Sequence, residues 1–395
     1  MKLIRAFSYV VTSAYYVFLM LTDRLTLLFP RRTNEGIKER ILLVKLDAIG
    51  DFILWLDAAK ALRELFPAIK YEVMLLGNRT WSSLAEALPY FDTVWSIDRQ
   101  KFFKNPVYRF KMLKKIRKAG FDIVVQPTFS REFLYGDAVV RVSGAEKRVG
   151  SQGDSSNIKP WQKQISDRRY TQLIPTTKKP LMELERNAEF MRGLGLSEFK
   201  ADIPELAILN HTPLGINTKD YYVLFPGAGA EFRQWPLSRF SDLARRIYRI
   251  TGWIGIICGG PGMETLGKIL EQNTDIPLQN WAGRTSLQEL IAIIARAHIL
   301  VGNETSAVHI AAAVSTPSVC IVGGGHYGRF IPYCLETETK KPLPVDVVHK
   351  MDCFGCNWRC IYSIPKGTSA PCMGKISVNV VWNSVAKILK GRKHL

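Results

Sequence analysis

The strongest constraint on this chain is a strand–helix alternation that runs through residues 40–127 and starts again at residue 221. In the first run, apolar segments of strand length (41–46 ILLVKL, 71–76 YEVMLL, 93–97 TVWSI, 121–127 FDIVVQP) are separated by helical patterns. The clearest helix is 51–66, where Phe52, Trp55, Leu56, Ala59, Leu62 and Leu65 fall at helical spacing and Pro67 ends the run. Further helices are predicted near 80–88 and over 106–119. The second run has strands at 221–226, 253–260, 298–302 and 318–323, with helices at 238–250, 264–273, 287–297 and 305–314. Strands that alternate with helices pair in parallel, with helices on both faces of the sheet. The expectation is therefore an α/β chain of two Rossmann-like domains facing across a cleft, with ligands bound beyond the carboxyl ends of the strands. Between the runs, 151–180 is polar and weakly patterned and reads as a loop or lid. A helix is predicted over 183–193, 210–220 has linker composition, and a last helix covers 377–390. The expected boundaries are 1–35 for an N-terminal segment, 36–209 for the first domain and 210–395 for the second.

A length of 395 residues with 47% hydrophobic content suits two domains of ordinary size. The net charge of +19 attracts polyanions: nucleic acid, anionic membrane or phosphate-bearing substrates. No zinc finger, basic zipper or RNA-recognition signature is present, so nucleic acid ranks behind the other two. Of seven cysteines, Cys258 and Cys320 lie in apolar runs and read as buried small hydrophobes. Cys353, Cys356, Cys360 and Cys372 are clustered. They have the residue types of a zinc site but not the spacing of a standard finger, and unbridged structural thiols are the favoured reading.

Residues 6–22 (AFSYVVTSAYYVFLMLT) carry no charge; Lys2 and Arg5 precede them, and Asp23, Arg24, Arg31 and Arg32 follow. No clean signal-peptidase site follows. Seventeen residues diluted by Ser8, Thr12 and Ser13 are marginal for a span. An interfacial helix with Tyr9, Tyr15 and Tyr16 at headgroup level and an ordinary buried helix are the other readings, and membrane attachment in some form is favoured. The α/β rhythm begins only at Arg40, so the segment is expected to be dispensable for folding.

Four stretches carry chemistry. In 45–51 (KLDAIGD), Gly50 permits a tight turn after the first strand and Asp51 sits at a helix start, where Lys45 precedes it. Taken alone, Asp51 reads more simply as a helix N-cap than as a base. In 225–240 (FPGAGAEFRQWPLSRF), Gly227 and Gly229 let backbone amides approach a ligand, and Arg233 can pair with phosphate in bidentate fashion. In 258–268 (CGGPGMETLGK), Gly262, Gly267 and Lys268 nearly match a Walker A loop, but Ile269 replaces the Ser/Thr that would hold Mg²⁺. Glu264 there suits ribose or sugar hydroxyls. In 301–332, Asn303 or Thr305 caps a helix whose first turn, with Ser306, offers free amides to an anion. Thr305 and His309 share a helix face. Glu304 would repel a diphosphate and should point at hydroxyls. Gly323, Gly324 and Gly325 form a flexible loop followed by His326 and Arg329. No Asp-x-Asp metal motif occurs, so no metal is expected at the site.

Together these stretches resemble the heptosyltransferase family, glycosyltransferase family 9, over roughly residues 40–390. The matching motifs are Lys45 to Asp51, Pro226 to Pro236, Ala282 to Leu290 and Gly302 to Ala312. The resemblance implies a GT-B fold and an inverting, metal-independent transferase without a cofactor. It implies Asp51 as general base and Arg233 as the group that stabilises the departing diphosphate. Gly227, Gly229, Glu264, Asn303, Glu304, Thr305, Ser306 and His309 would hold the nucleotide sugar, and Lys45, Gly50, His326 and Arg329 would line the acceptor side. The expected reaction moves heptose from ADP-heptose to a lipopolysaccharide core or other cell-surface glycan, at the cytoplasmic face of the inner membrane. One departure is Glu304, where the family usually has Asp. The competing readings are a transferase for another sugar nucleotide, a Mg²⁺-dependent nucleotide hydrolase using 262–268, and a non-catalytic glycan binder.

Overall fold

The structure is a computed structural model. It describes residues 2–33, 36–208, 215, 216 and 218–392, with side chains for those from 14 to 391. Most of the expected 210–220 linker and the Tyr9 side chain lie outside the described residues.

The chain divides into two compact units, the first built largely from residues before 200 and the second from those after it, with 53–57 and 179–185 counted in the second. Each unit holds a six-stranded parallel sheet. In the first, β1 (Glu39–Lys45), β2 (Tyr71–Asn78), β3 (Thr93–Ile97), β4 (Ile123–Gln126), β5 (Lys147–Ser151) and β6 (Gln172–Ile174) lie in the order β3-β2-β1-β4-β5-β6. In the second, β7 (Tyr221–Phe225), β8 (Ile254–Ile257), β9 (Leu278–Asn280), β10 (Leu300–Asn303), β11 (Ser318–Val322) and β12 (Val345–Val348) lie in the order β12-β11-β10-β7-β8-β9. Numbered within its own unit, each is the doubly wound order 3-2-1-4-5-6, whose direction of winding reverses between its first and fourth strands. These are the two domains of a GT-B fold.

The central strands are buried along their length because helices cover both faces. Leu42 and Val44 of β1 pack with Leu113, Ile116 and Phe121. Tyr222 and Leu224 of β7 pack with Phe240, Ile247 and Val301. Each such side chain, fully buried, contributes roughly 1.5–3 kcal/mol. Gly302 on β10 lets β7 approach: a Cβ there would lie 2.8 Å from the Phe225 Cβ and 3.0 Å from its carbonyl oxygen.

Two sequence expectations are corrected here. Residues 151–180 are not an unstructured lid; they contain the helix Pro160–Asp167 and strand β6. The edge strands β6 and β9 have three residues each, too few to show a period in the sequence. The N-terminal segment is not an appendage either. Its helix, Lys2–Leu25, packs on the first unit. Leu19 is fully buried with Phe133, Leu134 and Ile158. The Tyr15 hydroxyl donates to the Phe103 carbonyl at 2.6 Å, and Tyr16 lies against the Phe103 ring, so both turn toward protein rather than toward headgroups. Asp23 is 3% exposed and accepts a bidentate pair from the fully buried Arg109, at 2.6 and 2.7 Å. Removing residues 1–32 would strand Arg109 in the core, a loss of about 3–5 kcal/mol, so the segment is part of the fold. Among the described residues no helix is long and apolar enough to cross a membrane.

Candidate functional site

Each sheet reverses its winding at one place, between β1 and β4 in the first unit and between β7 and β10 in the second. Loops leaving the carboxyl ends of those strands line the crevice where such sheets bind ligands. Stretches 45–51, 225–240 and 301–332 hold the ends of β1, β7 and β10, while 258–268 follows β8, and each crevice is spanned by a side-chain hydrogen bond.

In the first unit the span is Asp47. Its Oδ2 accepts from the Thr128 hydroxyl beyond β4 at 2.8 Å and pairs with the Lys45 ammonium at 2.7 Å. Its carbonyl accepts from Trp81 Nε1 at 2.9 Å and from Asn78 at 3.1 Å. Burial pushes the Asp47 pKa up, but Lys45, Thr128 and Arg99 outweigh it and hold the carboxyl below the usual range. Arg99 donates to the Leu46 carbonyl at 2.8 Å and grips Glu132 through two bonds of 2.8 and 2.9 Å. Lys45, expected to face the acceptor, is 1% exposed and serves this network.

Beyond the network, the helix Ile49–Leu65 begins. Its N-cap is Ala48, which makes no side-chain cap, and Asp51 is its third residue. The simple reading of Asp51 as the N-cap is therefore incorrect. Gly50 and Asp51 remain partly exposed on the first turn.

In the second unit the span is Asn303. Its amide nitrogen donates to the Pro226 carbonyl at 2.7 Å, and its oxygen accepts from the Trp235 backbone at 3.0 Å. Both functional atoms of this fully buried side chain are thus used to set the 226–235 loop. Gly227 lies against Met263, where a Cβ would sit 3.0 Å from the sulfur, and Gly229 lies beside the Arg233 guanidinium. The guanidinium stacks 4.6 Å over the Trp358 ring.

Three polar atoms at this place are buried and have no hydrogen-bond partner among the described residues: Arg233 Nε, Glu304 Oε1 and the Thr305 hydroxyl. Thr305 occupies the N-cap position of the helix Ser306–Ala313 but makes no side-chain cap. Burial pushes the Glu304 carboxyl up to about 7 against the opposing pull of Arg233 and Arg329. The same desolvation lowers the Arg233 pKa, with Glu304 opposing. A buried polar atom left unbonded costs roughly 1–3 kcal/mol. Three together describe a place shaped for a ligand that supplies both acceptors and donors.

The other expected residues are distributed around it. His309 is 4% exposed, its Nδ1 is 2.8 Å from the Tyr333 hydroxyl, and burial pushes its pKa down to about 4. It is neutral and already partnered. Glu264 opens the helix Glu264–Gln272, is exposed, and accepts from the Gly262 backbone at 3.1 Å. Backbone amides hold its pKa below the usual range. Because residues 264–267 are helical, the loop that a Walker cradle needs before Lys268 is absent. His326 pairs with Asn357 at 2.7 Å, and Arg329 donates to Glu183 at 3.1 Å. Both belong to the second unit and act electrostatically on the same cluster, His326 feeling Arg233 and Glu304 feeling Arg329.

The three glycines at 323–325 are not slack. Cβ atoms on them would lie 2.3–2.4 Å from Phe354 or Trp358, so they admit the rings of the cysteine-rich segment. Asn357 and Trp358 take left-handed backbone conformations, at φ 48° and 56°, to reach this position. Strain of that kind is retained where the surrounding packing requires it. The cysteines are unbridged. Burial raises the Cys372 pKa, and Cys353, Cys356 and Cys360 add to the shift, so the four thiols lie within electrostatic reach of one another. Among the described residues no group of three or more His, Cys, Asp or Glu is arranged to hold a metal ion. Asp47, Trp358 and Asn357 are participants that sequence reasoning missed. For Trp358, the clustering of cysteines marked the segment but not its aromatic residue.

Comparison with known proteins converges on one family. The model of glycosyltransferase family 9 (heptosyltransferase) matches residues 109–339, more than half the chain. A curated relative, lipopolysaccharide heptosyltransferase 3 of Escherichia coli K12, is 24% identical over 296 residues, covering 72% of this chain and 82% of the relative. The family 9 glycosyl transferase of Veillonella parvula superposes with a TM-score of 0.69 at 16% identity, over 90% of this chain and 98% of the other. The iron-containing dodecameric heptosyltransferase TibC, in complex with ADP-D-beta-D-heptose, superposes with a TM-score of 0.50 at 12% identity, over 91% and 79% of the two chains.

Proposed function

The chain belongs to glycosyltransferase family 9, the heptosyltransferases, and on that premise we propose that it transfers heptose from ADP-heptose to a lipopolysaccharide core acceptor, with inversion and without a metal. The observation that carries the reading is the unbonded trio of Arg233, Glu304 and Thr305 at the β7–β10 crevice. Arg233 and the Thr305 hydroxyl, with the free amides at the start of the helix Ser306–Ala313, take the diphosphate. Glu304, whose carboxyl burial pushes up to about 7, meets a sugar hydroxyl as donor or acceptor. Glu264 takes the ribose hydroxyls. Asn303 positions the 226–235 loop, and His309 braces the helix through Tyr333.

On the first domain, the Asp47 network holds the turn that leads into the helix carrying Asp51. Asp51 accepts the proton of the acceptor hydroxyl as that oxygen bonds to the anomeric carbon and the bond from that carbon to the diphosphate oxygen breaks. The leaving diphosphate gains charge, which Arg233 stabilises more in the transition state than in the ground state. The chain has no Asp-x-Asp pair, and Arg233 and helix amides can take the charge that a divalent cation would otherwise neutralise. The lipid-linked acceptor puts the reaction at the cytoplasmic face of the inner membrane.

The test is thermal denaturation with ADP-heptose, ADP and a panel of other sugar nucleotides, followed by transfer to a heptose-deficient lipopolysaccharide core in EDTA. ADP-heptose is expected to raise Tm most and transfer to persist. A larger shift with another sugar nucleotide would replace the donor, and loss of transfer in EDTA restored by a divalent metal would overturn metal independence.

A further inference from the structure

We propose that the N-terminal helix and the basic helices beside it form one platform that seats the protein flat on an anionic phospholipid membrane. The inner face of the helix is committed to the fold: Leu19, Asp23 and Thr26, at i, i+4 and i+7, are buried. The opposite face is not. Val17, Phe18, Leu21 and Leu25, with Leu28 in the turn that follows, fall on one stripe and are 47–79% exposed. A contiguous apolar stripe of this kind marks a contact surface rather than scattered surface residues.

What should cover it follows from charge. The helix runs alongside the helices Arg99–Lys104 and Pro106–Ala119: Tyr15 meets Phe103, Asp23 meets Arg109, and the Phe29 carbonyl meets Arg117 at 2.6 Å. Residues 99–120 contain nine Lys and Arg and no Asp or Glu. In residues 2–33 the sole acid is Asp23, and Arg109 has taken it. Lys101, Lys104, Lys111 and Lys118 are exposed, as is Arg24. Lys114 lies 3.8 Å over the Phe29 ring, joining the basic strip to the end of the apolar stripe. An apolar ridge bordered by cations, in two segments whose sole acid is the buried Asp23, is complementary to an anionic bilayer surface. It repels a second copy of itself. The bidentate Asp23–Arg109 pair keeps the helix on the protein, so the ridge lies in the interface and does not thread the bilayer.

This surface is independent of which sugar is transferred, and its test does not use the transfer reaction. The full chain is sedimented with vesicles of phosphatidylcholine alone or mixed with phosphatidylglycerol, at low and high salt. Binding is expected to the mixed vesicles and to weaken with salt. Leu21→Glu/Leu25→Glu and, separately, Lys111→Glu/Lys118→Glu should each weaken it on the order of tenfold or more. Ile250→Glu, at an exposed apolar position of the other domain, should leave it unchanged. Tm is measured for every variant; if the leucine pair proves unstable, the lysine pair decides. Absence of binding to mixed vesicles, or variants that bind like the parent, overturns the proposal. So does a self-associated parent that fails to bind vesicles and that the leucine variant turns into monomer, which would make the ridge a contact between copies.

Discussion

The loop after β1 and the loops after β7 and β10 hold the same station in two sheets of identical strand order, yet their polar groups are arranged in opposite ways. Around the loop after β1, Lys45 is answered by Asp47, Asp47 by Thr128 and Arg99 by Glu132. In the second, Arg233 Nε, Glu304 Oε1 and the Thr305 hydroxyl are buried with no partner among the described residues. A closed network holds a backbone in place whether or not a ligand is present. An open one is stable only to the extent that the surrounding fold tolerates its cost, and it is completed by what binds. One station is built to aim a group, and the other to receive one.

The largest effect should come from the group that the closed loop aims. Asp51→Ala is expected to lower turnover by about 10²- to 10⁴-fold with donor affinity nearly unchanged. Activity within a few-fold of the parent would leave Asp51 as a first-turn residue with no part in proton transfer.

The closed network itself should report in stability. Asp47→Ala removes the ion-pair partner of the buried Lys45, and urea unfolding should show a loss of about 3–5 kcal/mol. Asp23→Ala should show a loss of the same order for the same reason, with Arg109 as the stranded charge. A neutral result for Asp47→Ala would mean that Lys45 finds water or another partner, and the contrast between the two stations would fail.

Arg233→Ala should behave in the opposite manner, because its Nε has no bond to lose. Its Tm should hold or rise while kcat falls about 10²- to 10³-fold and donor affinity weakens. Arg233→Lys should restore only part, since an ammonium keeps the charge without the planar fork. Separate binding measurements check the assignment of the two domains: loss of acceptor affinity with donor affinity intact would reverse it.

The smallest effect concerns pH, where two buried groups of the second domain oppose each other. Glu304, raised to about 7 in the folded protein, adds stability below its ordinary pKa that is lost as pH rises through 7. His309, lowered to about 4, adds stability above its ordinary pKa that is lost as pH falls through 4. Their slopes largely cancel between pH 4 and 7. Glu304→Gln should expose the histidine's slope, with stability falling toward acid, and His309→Gln should expose the glutamate's, with stability rising toward acid. Each arm should be on the order of 1–3 kcal/mol. Parallel pH–stability curves for parent and Glu304→Gln would show that the carboxyl is not desolvated.

What the sequence determined by itself is what local periodicity and chain direction can encode. A strand covered on both faces must be apolar without interruption, so β1, β7 and β10 stood out, and glycines, Arg233 and the acids at the ends of such strands marked where a ligand belongs. The short edge strands β6 and β9 were illegible because three residues carry no period. Tertiary structure alone decided which polar groups were satisfied. Asn303, Thr305 and His309 look alike as candidate ligands in one short stretch. The first is consumed by Pro226 and Trp235, the third by Tyr333 24 residues on, and Thr305 is left open. The apolar run at 6–22 favours membrane attachment over a buried helix when read as sequence, and the packing of its helix turned on Asp23 meeting Arg109 across 86 residues of chain. A side chain's type fixes how many bonds it can make, but its partners come from segments brought together only when both sheets have formed.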